Sequence, residues 1–96
     1  MKVLLEFDFF YTMIEIPDRF NNLFELDNEF ENWARNSLSQ QRIDSQGRQY
    51  VFFDDDTFID WLKRYKLKPD ESVKIKYKHI AELSENMLDY DGKIYF

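Results

Sequence analysis

No cysteine occurs in the sequence. That removes disulfides, thiolate nucleophiles and thiolate zinc sites, and it argues against a stapled secreted scaffold. There is one histidine, His79, so the usual proton shuttle of neutral-pH catalysis has a single candidate. Ser72 and Ser84 are the serines nearest to it in the chain, and neither sits in a nucleophile-elbow pattern. A strand-end histidine near the surface is the expectation. Glycine is limited to Gly47 and Gly92, so there is no glycine-rich phosphate loop. These shortages leave little from which to assemble an active site, and the chain is expected to be no enzyme and to carry no cofactor.

Long apolar runs are also missing. The opening Met1-Lys2-Val3-Leu4-Leu5 starts like a signal peptide, but Glu6 and Asp8 interrupt it and no small-residue cleavage site follows. The longest uncharged apolar-rich run, Phe9 to Ile14, is far too short to span a bilayer. The expected setting is cytoplasmic, with no membrane partner.

What the sequence has in quantity is aromatic side chains and acid. Its 96 residues make one domain, 1–96, with room for one modest core. Ten Phe, six Tyr and two Trp must supply that core, because alanine occurs only at 34 and 81. The net charge is −6. It is unevenly divided: residues 1–62 carry 13 acids against 5 bases, while residues 63–96 carry 6 acids against 8 bases. An acidic body repels nucleic acid and attracts basic partners. The scarcity of Gly and Ala beside many Phe, Tyr, Asn and Lys residues points to an AT-rich coding sequence, as in a low-GC bacterium, its phage or its plasmid.

The patterning alternates between strand and helix periods. Residues 2–16 read as one long strand, or two meeting at a bulge, ended by Pro17. A helix is predicted between about 19 and 37, with Leu26, Phe30, Trp33 and Ala34 on one face and Asn28 with Glu31 at capping-box spacing. Residues 41–44 and 48–53 read as a hairpin turning at Ser45-Gln46-Gly47. A second helix starts near Thr57 and Asp60, carries Phe58, Ile59, Trp61, Leu62 and Tyr65 on its apolar stripe, and stops at Lys68-Pro69. Residues 72–80 alternate, with Val73, Ile75 and Tyr77 predicted inward and Lys74, Lys76 and Lys78 outward. A weaker C-terminal element turns at Asp91-Gly92. The fold class is therefore α+β, an antiparallel sheet with two helices packed on one face, in ferredoxin-like βαββαβ order plus a C-terminal extra element. That order places strand 72–80 beside strand 2–16. Phe24, Asp27, Phe30, Trp33 and Arg35 recur 28 residues later as Phe52, Asp55, Phe58, Trp61 and Lys63. A duplicated βα unit would produce this echo, as would two helices that independently use an acidic cap and an aromatic face; the second is the reading preferred.

Three groups of residues could carry function. Asp54, Asp55, Asp56 and Asp60 invite a metal reading, but the sixth and twelfth positions of a calcium loop would be Ile59 and Tyr65, so that loop fails. Helix capping explains these aspartates, and no metal is expected. Residues 46–53 match an RNA-recognition consensus only at Gly47, Tyr50, Val51 and Phe53, missing its first base and one aromatic platform. Lys74, Lys76 and Lys78, with Arg48 and Tyr50, form the nucleic-acid alternative, although cross-strand pairing with Glu6 and Asp8 explains the lysines structurally. The reading that leads is a small acidic protein-interaction module, of the kind a phage or plasmid encodes as an inhibitor covering a basic host surface. Its contact residues would be Glu25, Asp27, Glu29, Glu31, Asp54, Asp55, Asp56 and Asp60. A protein partner ranks above nucleic acid. A structural subunit that oligomerises through an edge strand is the third reading.

Overall fold

The computed structural model describes all residues from 1 to 96. The apolar stretch at the N-terminus does not run on as one strand. It folds back at Phe7–Phe10 into two antiparallel strands, β1 (Lys2–Glu6) and β2 (Tyr11–Glu15), paired from Lys2↔Glu15 to Glu6↔Tyr11. The turn closes with the Phe7 N–H donating to the Phe10 carbonyl at 3.0 Å and the two rings stacked 4.8 Å apart.

Helix α1 (Leu23–Asn36) follows, then the short hairpin of β3 (Gln41–Ile43) and β4 (Gln49–Val51). Helix α2 (Asp55–Trp61) continues into a π-helical turn, Leu62–Lys66. The chain ends with β5 (Lys74–Ile80) and β6 (Gly92–Tyr95). The main sheet has the order β5-β2-β1-β6. It is mixed, because β6 runs parallel to β1 while the other neighbours are antiparallel. The α+β class and the two helices on one face are as expected. The ferredoxin-like antiparallel order is not what forms, for two reasons. The N-terminal segment supplies both central strands, and the 41–51 hairpin makes a separate two-stranded sheet. The C-terminal element then fills the vacant place beside β1.

Packing follows the period-2 alternation of the strands. Val3, Leu5, Ile14 and Ile94 face the helices and join Leu26, Phe30, Phe58, Ile59, Trp61 and Leu62 in one cluster. Phe30 is its hub, with ring contacts to Phe53, Phe58, Trp61 and Phe96 at 5.0–5.7 Å. Leu4 and Met13 point to the opposite face, where Tyr77, Ile80, Leu83 and Met87 cover them. Tyr77 and Ile80 of that cover come from β5, and Leu83 and Met87 from the segment connecting β5 to β6.

The helix starts differ from the predicted ones. Asn22, not Asn28, caps α1, its side-chain oxygen accepting the Glu25 N–H at 3.1 Å. Asp54 caps α2 and accepts the Thr57 N–H at 2.9 Å, while the Thr57 hydroxyl accepts the Asp54 N–H in return. Thr57 is thus the third helical residue of a capping box rather than its first member. No helix is long and apolar enough to cross a membrane.

Candidate functional site

The most unusual local chemistry lies where β5 meets the start of α2. β5 pairs with β2, not β1, and its register slips twice, between Tyr11 and Met13 and between Met13 and Ile14. Each slip is a bulge that leaves an extra residue on β5 and re-aims its side chain. At the first, His79 adopts φ 55°, the left-handed region that few side chains other than Asn, Asp and His enter readily. Its N–H leaves the ladder and donates to Thr12 Oγ1 at 3.2 Å. Its ring turns toward α2, with Nε2 3.0 Å from the Asp55 carboxylate.

Asp55 is wholly buried, which corrects its expected place on an exposed helix start. An isolated buried carboxylate is strongly unfavourable, so its oxygens must be satisfied. Thr12 Oγ1 donates to one oxygen at 2.7 Å, and the Asp56 N–H donates to the other at 2.9 Å. With His79, these donors come from β2, β5 and α2, so one carboxylate ties three elements together. The Phe10 ring packs edge-on to His79 at 4.5 Å, and the aromatic contacts continue through Phe7 to Phe96 and the core. The imidazole is half exposed, and the Thr12 hydroxyl is spent on Asp55. The arrangement is a structural latch.

The other acidic residues are largely neutralised within the chain. Glu29 pairs with Lys66 at 2.5 Å, Glu31 with Arg35 at 3.9 Å, Asp56 with Lys78 at 2.6 Å and Asp60 with Arg64 at 3.1 Å. Asp54 is occupied as a cap. Glu25 is exposed without an ion-pair partner. Asp27 is half-buried, with an Oδ1 that has no hydrogen-bond partner; burial and then the neighbouring Glu31 push its pKa up to about 6. The structure therefore brings Asp54, Asp55 and Asp56 to within 4.8 Å of one another, but each already accepts donors from the protein.

The lysine strand is corrected in the same way. Lys76 lies 3.8 Å from Glu15, and Lys78 binds Asp56, which raises the Lys78 pKa. Glu6 instead pairs with Lys93 at 3.6 Å, and Asp8 accepts a 3.5 Å contact from the Tyr95 hydroxyl. The cause is the N-terminal hairpin, which puts β2 between β1 and β5. Ile75 and Tyr77, expected inward on one face, remain 46 and 37 % exposed because β5 is an edge strand and the second bulge turns them to opposite faces.

Exposed apolar side chains also gather on a second element. The β3–β4 hairpin is an arm outside the main sheet. Leu38 at its root, Ile43 and Tyr50 on its strands and Phe52 directly after β4 are 85, 68, 48 and 48 % exposed. Asp44 shapes its tip by accepting the Gln46 and Arg48 N–H groups at 2.9 and 2.8 Å, which holds its own pKa low, and Gly47 supplies φ 77°. Arg48 pairs with Asp44 at 3.1 Å. Arg42 has no carboxylate partner and stands 5.7 Å from the Phe52 ring. At the root, an open cleft of about 620 Å³ is lined by Trp33, Gln40, Ile59 and Ile75, with Asp56 and Asp60 at its side.

Of the residues singled out from sequence, Arg48 and Tyr50 are brought together on the arm, and Asp56 and Asp60 lie beside its root. Leu38, Ile43 and Phe52 were not singled out. For Phe52 the signal was the segment Tyr50-Val51-Phe52-Phe53, apolar on both faces; Leu38 and Ile43 carried none. No family model, curated protein or solved structure matches the chain.

Proposed function

We propose that the protein is a small acidic protein-binding domain that holds its partner through the β3–β4 arm and the Asp56–Asp60 side of α2. The observation that carries this reading is the arm: four large apolar side chains exposed within fifteen residues, on a ribbon with no other strand to lean on. A lone two-stranded hairpin is marginal in water, and large apolar side chains left exposed on both of its faces mark it as an interaction element. Tyr50, Phe52 and Arg42 are the residue types that dominate interface energetics. In the form the net charge favours, the partner surface is apolar with a basic rim, and the domain inhibits by covering it.

The alternatives lose ground on specific contacts. Arg48, Lys76 and Lys78 already hold carboxylates, which leaves only Lys74 of the basic set free to meet a phosphate. Two bulges and three lysines also blunt β5 as an edge for strand addition.

The reading is tested by affinity capture from source-cell lysate with three baits at two salt concentrations. The baits are wild type, Ile43→Ser/Tyr50→Ser/Phe52→Ser, and Asp56→Asn/Asp60→Asn. Truncating interface anchors should weaken capture at least about tenfold, and the Asn pair should lower the salt dependence. Capture unaffected by all five substitutions would remove both the arm and the α2 face from the interface.

A further inference from the structure

The arm has two open sides, and they are not equivalent. Backbone groups of Gln40, Arg42 and Asp44 on β3 face Phe52, Tyr50 and Arg48 on β4, as the bonds from Phe52 N–H to Gln40 O at 2.7 Å and from Asp44 N–H to Arg48 O at 2.9 Å fix. Alternation then turns the N–H and C=O of Gln41 and Ile43 outward on one side, and those of Gln49 and Val51 outward on the other.

We propose that a second copy of this chain pairs along the outer side of β4, across a two-fold axis at Tyr50. An isologous contact must be self-complementary, each residue meeting its counterpart in the other copy. On β4 the requirement is met. Gln49 lies opposite Val51 of the second copy, and their outward groups exchange two hydrogen bonds at each of the two symmetry-related positions. Tyr50 lies opposite Tyr50, in the close pair between them where aromatic contacts are favourable. Arg48 lies opposite Phe52, a cation against a ring face. The same operation on β3 sets Arg42 opposite Arg42, and like charges directly opposed are destabilising. β4 also carries neither of the devices that blunt β5: it has no bulge and no lysine. The product is a four-stranded ribbon, which relieves the marginal stability of a lone hairpin. The pairing rests on reading the arm as a contact surface, and it leaves the Ile43 face free for another partner.

Sedimentation velocity across a concentration series tests the pairing. Two three-residue strands make a small contact, so the dimer should be weak. Wild type should move from the 11.9 kDa of one chain toward twice that mass as concentration rises. Tyr50→Lys and Tyr50→Glu place like charges on the axis, so each alone should stay monomeric. An equimolar mixture of the two should recover the dimer, because lysine then faces glutamate. A wild-type mass fixed at one chain up to ~1 mM, the affinity scale of barely specific contacts, overturns the proposal. So does a dimer that persists in either variant alone, or a mixture that stays monomeric. The measurement uses the protein by itself, so its failure leaves the partner reading standing. Conversely, Ile43→Ser, on the other strand and face, tests partner capture without touching the paired edge.

Discussion

β5 and the β3–β4 arm both present strand edges to solvent, yet the chain treats them in opposite ways. On β5 the edge is interrupted by two bulges, its lysines reach Glu15 and Asp56, and His79 is drawn out of the ladder onto a buried carboxylate. The arm shows the reverse, with regular pairing and a surface of Ile43, Tyr50 and Phe52 beside an uncompensated Arg42. One edge is thus protected by its own contacts, while the other keeps its apolar side chains open to solvent, the contrast on which the proposed binding role of the arm rests.

The sharpest way to break this contrast is at its anchor. Asp55→Ala takes the acceptor from Thr12, His79 and the Asp56 N–H together, and should lower stability by about 3–5 kcal/mol, as loss of a partner in a buried network does. Tyr50→Ala on the arm should stay within ~0.5 kcal/mol, the usual range for surface substitutions. Both are read by chemical denaturation, and equal losses would erase the distinction.

His79→Gly is the next step down. Glycine accepts the positive φ without strain but removes one of the donors to Asp55, so a loss of about 1–3 kcal/mol is expected. A variant as stable as wild type would mean that the bulge, rather than the imidazole, holds β5 to α2.

Asp27 gives a smaller effect with a distinctive pH signature. Its folded-state pKa of about 6 lies above the unfolded value of about 4, so the native chain holds a proton that the unfolded chain has lost between those limits. Its contribution therefore falls as pH rises from 4 to 6, and above 6 the ionised form is a standing penalty. Asp27→Asn should raise the melting temperature at pH 7, with the gain shrinking to nothing below pH 4. A gain independent of pH would assign the effect to packing instead.

The smallest change is expected from replacing Lys74, Lys76 and Lys78 by Gln. Exposed pairs contribute little, so the unfolding midpoint should barely move, and DNA or RNA titrated at two salt concentrations should bind no tighter than the non-specific range. A sub-micromolar, salt-sensitive complex lost in the triple variant would return the lysine strand to the functional surface.

Much of the fold was legible because its signals are local. The apolar stripe Phe58, Trp61 and Leu62, the strand at 74–80 and the glycine turn at 47 each act over a few residues, although the inward alternation expected of that strand is broken by its bulges. The break at Phe7–Phe10 was not, since the turn has no glycine, proline or asparagine and is closed by stacked phenylalanines. Asp55 resembled its neighbours Asp54 and Asp56 in every local respect. What buries it is Thr12, 43 residues away in the chain, and a bulge at His79 that alternation alone does not reveal. The arm's strands were visible, but their separation from the main sheet depended on which strands took the central places. The site reading changed with it, from carboxylates that proved to be paired to apolar side chains that proved to be exposed.

Photo-crosslinking from single positions tests the central claim most directly. A photoreactive residue is placed at 43 or 52 on the arm, or at 76 or 78 on β5, and each protein is irradiated with its captured partner. The account predicts partner adducts from the two arm positions and none from β5. Adducts from 76 and 78, with the arm silent, would contradict it.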